Sequence, residues 1–123
     1  MPAPPSQVLS GLRVAIGAGA WAAPNTTGKL FGLDPGNNPQ AAFLARLFGV
    51  RDVALGVGTT ATTGSSRRMW WQLGIACDLL DAAAAALAAR NGTVPKAAAV
   101  MAGATALAAV GLGVAALASD DAG

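Results

Sequence analysis

The chain has 123 residues, 54% of them hydrophobic and 11% charged, with eight Lys or Arg against six Asp and a net charge of +2. An average soluble protein carries about 25% charge, so there are too few ionic side chains to coat a water-facing surface, and residues 1–123 read as one lipid-soluble domain. No basic run exceeds Arg67-Arg68, which argues against nucleic acid, and the absence of His, Tyr and Glu removes the commonest metal ligand and general base.

Four apolar segments follow one another between stretches of Gly, Pro, Asn and Ser. The first covers about 7–23 and is stopped by Pro24, which cannot donate a hydrogen bond to a continuing helix. The second covers about 40–60, the third 69–89 and the fourth 96–118. The last three have the roughly 20 residues that a hydrocarbon layer of about 30 Å requires. The fourth is the plainest span, since 97–119 holds no charge and Pro95 sits where a helix start tolerates proline. The third carries Asp78 and Asp81, each penalised by about 2.5 to 3.5 kcal/mol at a span's centre, and is expected to insert only with partners. The expected fold is therefore all-α: an antiparallel up-down four-helix transmembrane bundle with both termini on one side. A soluble bundle is the competing reading, because alanine, a strong helix former but a weak membrane driver, supplies much of the hydrophobic count. The lack of a repeating charged face weighs against it.

Between the segments, "PNTTGKLFGLDPGNNP" at 24–39 is expected to form a cap with a short interfacial "KLFGL" piece, whereas "TTGSSRR" and "RNGTVPK" read as tight polar turns. The opening "MPAPPSQ" lacks the positive region of a secretory signal, so the first helix is expected to be retained. Positive charges divide almost evenly between the two sides, leaving orientation open.

The charges inside the segments are the informative ones. With 1.5 Å per residue, Arg46 lies about 9 Å and Arg51 about 16 Å into the second helix, while Asp81 and Asp78 lie about 12 Å and 16 Å from the same side in the third. Arg51 is then level with Asp78, Arg46 nearly level with Asp81, and Arg13 roughly level with Asp52. Arg13, Arg46, Arg51, Asp52, Asp78 and Asp81 form a candidate intramembrane polar network, because an unpaired ion in a low dielectric costs several kcal/mol. Arg46 and Arg51 are about 140° apart around an ideal helix, so a shared partner helix would require long reach or a bend at Gly49. Trp21, Trp70 and Trp71 with Arg67 and Arg68 are expected to be interfacial anchors.

Other patterns carry less. Gly11, Gly17 and Gly19 in the first helix, and Gly103, Gly111 and Gly113 in the fourth, permit close helix contacts, within one copy or between copies. The G-x-G-x-x-A at Gly17, Gly19 and Ala22 superficially matches a dinucleotide turn, but no strand and helix alternation exists to build the sheet. Cys77 is a lone cysteine and reads as buried filler. No metal site and no cofactor are expected.

The stretch "RLFGVRDVALG", through Arg46, Gly49, Arg51, Asp52, Leu55 and Gly56, resembles the R-x-x-G-x-R-D-x-x-L-G signature of a family of small, uncharacterised multi-pass membrane proteins common in actinobacteria. "LFGLD" at 30–34 is also similar to that family. The resemblance implies a four-span fold in a membrane, without an assigned activity or catalytic residue.

These readings converge on a multi-pass protein of a bacterial inner membrane, a scaffold or accessory subunit with a buried Arg/Asp network. Its expected partners are the lipid bilayer and a membrane protein or a second copy. A small carrier or proton-linked transporter is the first alternative, and requires a water-accessible cavity around Arg51, Asp52 and Asp78. A membrane-embedded enzyme acting on a lipid or quinone, through Cys77 or Asp78, is the second.

Overall fold

Five helices account for most of the residues described by the computed structural model, which are 3–122, with side chains through 120; Met1, Pro2 and Gly123 lie outside them. They are α1 (Pro5–Ala22), α2 (Pro24–Leu30), α3 (Ala41–Ala61), α4 (Gly64–Asn91) and α5 (Lys96–Ala122). Proline and glycine set most of the boundaries. Pro5 opens α1 and Pro24 opens α2, at first-turn positions where a missing N–H is harmless. Gly92, at a left-handed φ of 67°, ends α4 while its N–H bonds the Ala88 carbonyl.

Three boundaries differ from expectation. The 24–39 segment contains the helical turn pair α2 before its loop. The "TTGSSRR" turn shrinks to Thr62 and Thr63, so that Arg67 and Arg68 already belong to α4, and α5 runs on to Ala122. Polar residues do not end a helix unless they remove a donor or force an unfavourable dihedral, and Ser65, Ser66 and Ser119 do neither.

The four long helices close a ring in which α1 packs on α3, α3 on α4, α4 on α5 and α5 on α1. Ser10, early in α1, bonds Thr59, late in α3, and Trp71, early in α4, bonds Asp120, late in α5, so these neighbours run antiparallel. The tight seams are α1 with α3 and α4 with α5. On the first, buried Arg13, Gly17 and Ala20 of α1 face Gly49, Asp52, Gly56 and Thr59 of α3, both at helical spacing. A Cβ on Gly17 would lie 2.6 Å from the Gly49 carbonyl oxygen, and one on Gly56 would lie 3.0 Å from that of Ser10, so only glycine permits this approach.

Two helices are long and apolar enough to cross a membrane: α4 over Gly64–Asn91 and α5 over Lys96–Asp120. The expected four spans are thus matched by length and composition in two. The shortfall in α3 follows from Arg46, Arg51 and Asp52 within its 21 residues, and that in α1 from Gln7, Ser10, Arg13 and three glycines within 18.

Exposure runs opposite to that of a water-soluble bundle. Leu44, Leu80, Val100 and Leu107 are among many large apolar side chains more than half exposed, while Arg13, Asp52 and Asp78 are 4 to 5% exposed. The well-packed apolar core is small: Leu9, Trp71 and Ala116, backed by Ala109, Leu112 and Leu117, near the end that carries the termini.

Candidate functional site

One charged layer crosses the middle of the bundle. Arg13 donates from Nη1 and Nη2 to both carboxylate oxygens of Asp78, at 3.1 and 2.6 Å. The two helices bridged, α1 and α4, are diagonal in the ring and make no close backbone contact with each other among the described residues, so this side chain spans the bundle's centre. Gly74, one turn before Asp78, makes the room: a Cβ there would stand 2.8 Å from Arg13 Nη2. Arg13 also lies 3.8 Å from Oδ1 of Asp52. Beside this pair, Arg51 donates to both oxygens of Asp81, at 3.1 and 2.6 Å, and stands 3.9 Å from Oδ1 of Asp52. The parallel two-point geometry gives each arginine a fixed orientation as well as a charge partner.

The pairing departs from the one read from depth. Arg51 was expected opposite Asp78 and Arg46 opposite Asp81; instead Asp78 holds Arg13, Asp81 holds Arg51, and Arg46 is outside the network. Face decides where depth does not. Arg51 and Asp81 differ by only about 4 Å in expected depth, within the reach of an arginine. Arg46 is turned about 140° from Arg51 and faces the end of α1, where its Nε donates to the Trp21 carbonyl at 3.0 Å and its guanidinium stacks 5.5 Å from the Trp21 ring. That carbonyl is one of the last in α1, left open where the helix ends before Pro24, and a cation there also suits the helix dipole. The expected Arg13 and Asp52 proximity is present at ion-pair distance, secondary to the Arg13 and Asp78 contact.

Trp71, expected as an interfacial anchor, is 2% exposed, and its indole Nε1 donates to Asp120 at 2.7 Å. It belongs to the core because it shares the inner stripe of α4 with Gly74 and Asp78, three and seven residues on. Trp21 is 54% exposed near the end of α1, and Trp70 is half-buried with its ring against Gly58. Arg67 donates to the Thr62 carbonyl at 2.7 Å, and Arg68 lies exposed on the second turn of α4. The roles of Gly74, Gly56 and Asp120 were missed. Gly74 was visible only as a glycine four residues before an Asp, Gly56 only as a position of the signature, and Asp120 only as a polar residue beyond an apolar run.

Above the charged layer, on the side of α2, the bundle opens into a cavity of about 1060 Å³. Leu12, Ile16, Leu44 and Phe48 line one wall, the alanine face of α5 from Ala98 to Ala109 lines the other, and Leu9 and Leu112 of the terminal-end core border it at its deepest part. Arg13, Asp52, Asp78 and Asp81 lie at its inner part, while Asp34, Asn38, Gln40 and Thr93 rim its outer end. From Gln40 to Asp52 it is about 18 Å deep along α3. Cys77 is not among its lining residues. The volume is at the upper end of small-molecule pockets, commonly about 300 to 1000 Å³. Among the described residues no group of His, Cys, Asp or Glu is arranged to hold a metal ion. Asp52 Oδ1 is buried without a hydrogen-bond partner, as is Nε of Arg51.

Comparison with family models, with curated proteins and with solved structures finds no match to this chain.

Proposed function

We propose that the protein is a four-span integral membrane protein of a bacterial inner membrane and that it binds a small elongated molecule in the cavity above its charged layer. The observation that carries this reading is the cavity itself, which reaches from a polar rim to buried carboxylates at mid-bundle. The Arg and Asp layer thereby has two duties: it fixes the helices and it forms the floor. A carrier requires water to reach that floor, and Arg13, Asp52 and Asp78 are 4 to 5% exposed, so the cavity supports binding before it supports passage.

Membrane residence of all four long helices is supported by their packing. If α4 and α5 cross a bilayer, α1 and α3, packed alongside them, share its depth. At 1.5 Å per residue they are about 27 and 32 Å long, close to a hydrocarbon thickness of about 30 Å. Arg13, Arg51 and Asp52 turn inward onto the charged layer, as intramembrane charges do, Arg46 bonds the Trp21 carbonyl at the end of α1, and the large exposed apolar surface needs lipid to cover it. The likeness of the Arg46 to Gly56 stretch to small actinobacterial membrane proteins joins the proposal on the same footing: Gly49 and Gly56 serve the α1 seam, and Arg51 and Asp52 the charged layer.

A second reading, a scaffold or accessory subunit, is favoured by the two bidentate pairs, which lock helix register whether or not a ligand enters. The lipid or quinone enzyme loses its candidate groups, since Cys77 does not line the cavity and Asp78 is held by Arg13 at both oxygens.

Cysteine mapping in membranes tests the proposal. In a Cys77→Ala background, cysteines at Asn38 and Gly92 are expected to react with an impermeant maleimide from one side, and those at Ser65 and Ser119 from the other. A cysteine at Ala102 in the cavity is expected to react, and one at Ala116 under Trp71 to stay protected. Release of the protein by carbonate, or labelling of Asn38 and Ser65 from the same side, would sink the four-span reading; protection at Ala102 would sink the open cavity.

A further inference from the structure

Resting on that cavity reading, we infer that the ligand is a single-chain amphiphile with a protonated amine at its head, seated with its N–H groups toward the Asp52 carboxylate and its chain along the apolar walls. The argument starts from charge. The layer holds three carboxylates, Asp52, Asp78 and Asp81, against two guanidiniums, Arg13 and Arg51. Each arginine spends a two-point contact on a different partner: Arg13 on Asp78 and Arg51 on Asp81. Asp52 is the carboxylate left over. Its side chain is 8% exposed, lies 3.8 Å from Arg13 and 3.9 Å from Arg51, and has an oxygen that accepts no hydrogen bond. A buried acceptor in that state is stabilised by any donor that reaches it, most of all a positively charged one.

The cavity decides which donor can arrive. Asp52, Asp78 and Asp81 line it together with Arg13, whereas Arg51 does not, so the inner lining carries three carboxylates against one guanidinium and asks for a cation. A divalent metal needs several oxygen ligands, and here two of the three carboxylates are already taken by arginine. A compact ammonium with one to three N–H groups needs only one. Between Asp52 and the rim the walls are aliphatic and aromatic over about 18 Å, a surface that favours a hydrocarbon chain over a polar body. The rim residue Asp34 adds no competing positive charge; its own carboxylate accepts from Asn37 at 2.6 Å. Head, chain and direction of entry are thus set by three separate features.

Calorimetric titration of the full chain in a nonionic detergent, with dodecylamine, dodecanol and dodecyl sulfate presented in matched micelles, tests this. Saturable binding of the amine at least tenfold tighter than the alcohol is expected, with no saturable binding of the sulfate. Asp52→Asn is expected to weaken the amine at least tenfold and leave the alcohol unchanged, while Ala102→Leu, which narrows the cavity, weakens both. Equal affinity for amine and alcohol, unaltered amine binding by Asp52→Asn, or preference for the sulfate would overturn the amine assignment and leave the cavity reading standing. If no probe binds saturably to the parent protein, the cavity reading fails and the inference with it. Should Asp52→Asn not fold, the head-group comparison on the parent chain and on Ala102→Leu decides by itself.

Discussion

Arg13 is the side chain whose loss the bundle should feel most. Replacing it by Met removes both hydrogen bonds to Asp78 and the ion-pair contact to Asp52 at once. Truncating one member of a buried pair costs about 3 to 5 kcal/mol, largely because the other charge stays buried; at about 1.4 kcal/mol per tenfold, the folding equilibrium drops by about two to three and a half orders of magnitude. The reciprocal change, Asp78→Leu, leaves Arg13 facing Asp52 at 3.8 Å and belongs at the lower end of the same range. In the double variant Arg13→Met/Asp78→Leu an apolar pair replaces an ionic one of similar volume, an exchange that is often neutral or better. The expected coupling between the two sites is therefore about 2 kcal/mol or more, with the double variant closer to wild type than Arg13→Met alone. Equilibrium unfolding by sodium dodecyl sulfate in mixed micelles, followed by far-ultraviolet circular dichroism, measures all four corners of the cycle. Single-variant losses that add to within about 0.5 kcal/mol, the usual behaviour of independent sites, would refute the claim that this diagonal contact ties α1 to α4.

Three further outcomes follow from the same geometry. Gly49→Val places a side chain against the Gly17 carbonyl and 3.1 Å from the Trp21 nitrogen; the α1 and α3 seam should open, with a loss of about 1 to 3 kcal/mol from overpacking in the same unfolding assay. Gly111→Ala meets nothing within 4 Å and removes a helix-weakening glycine, so it should be neutral or stabilise by up to about 1 kcal/mol. Trp71→Phe keeps most of the buried ring but loses the bond to Asp120; a loss of about 1.5 to 3 kcal/mol is expected for a hydrogen bond to a charged group, and a matching Asp120→Leu in the Phe background should add little.

The all-α class, the four long helices and the membership of Arg13, Arg51, Asp52, Asp78 and Asp81 in one charged layer were legible because they depend on periodicity and depth, which a sequence carries directly; the fifth helix, α2, was not, since 24–39 read as a cap. Partner choice was not. Whether Arg51 meets Asp78 or Asp81 turns on the rotation of α3 against α4 and on Arg13 having already taken Asp78, both properties of the assembled bundle. The two tryptophans of "WW" divide for the same reason: adjacent residues on a helix differ by 100°, so Trp71 enters the core while Trp70 covers Gly58. The cavity was invisible in the sequence, since the alanines of α5 that wall it look the same as alanines packed against a neighbour. Arg46 in its role at the end of α1 was hidden by its place in the motif, which suggested company with Arg51 when the 140° between them sends it elsewhere.

The core of Leu9, Trp71 and Ala116, pinned by the Ser10 to Thr59 and Trp71 to Asp120 bonds, closes one end of the bundle, while the cavity extends toward α2 at the other. If that cavity holds a ligand as proposed, this core stands between it and the end that carries the termini, and passage that way is stopped in this conformation. Emptying it to the opposite side means drawing a tryptophan off its carboxylate and parting two hydroxyls, which makes the stopper, and not the charged floor, the place where direction would be decided.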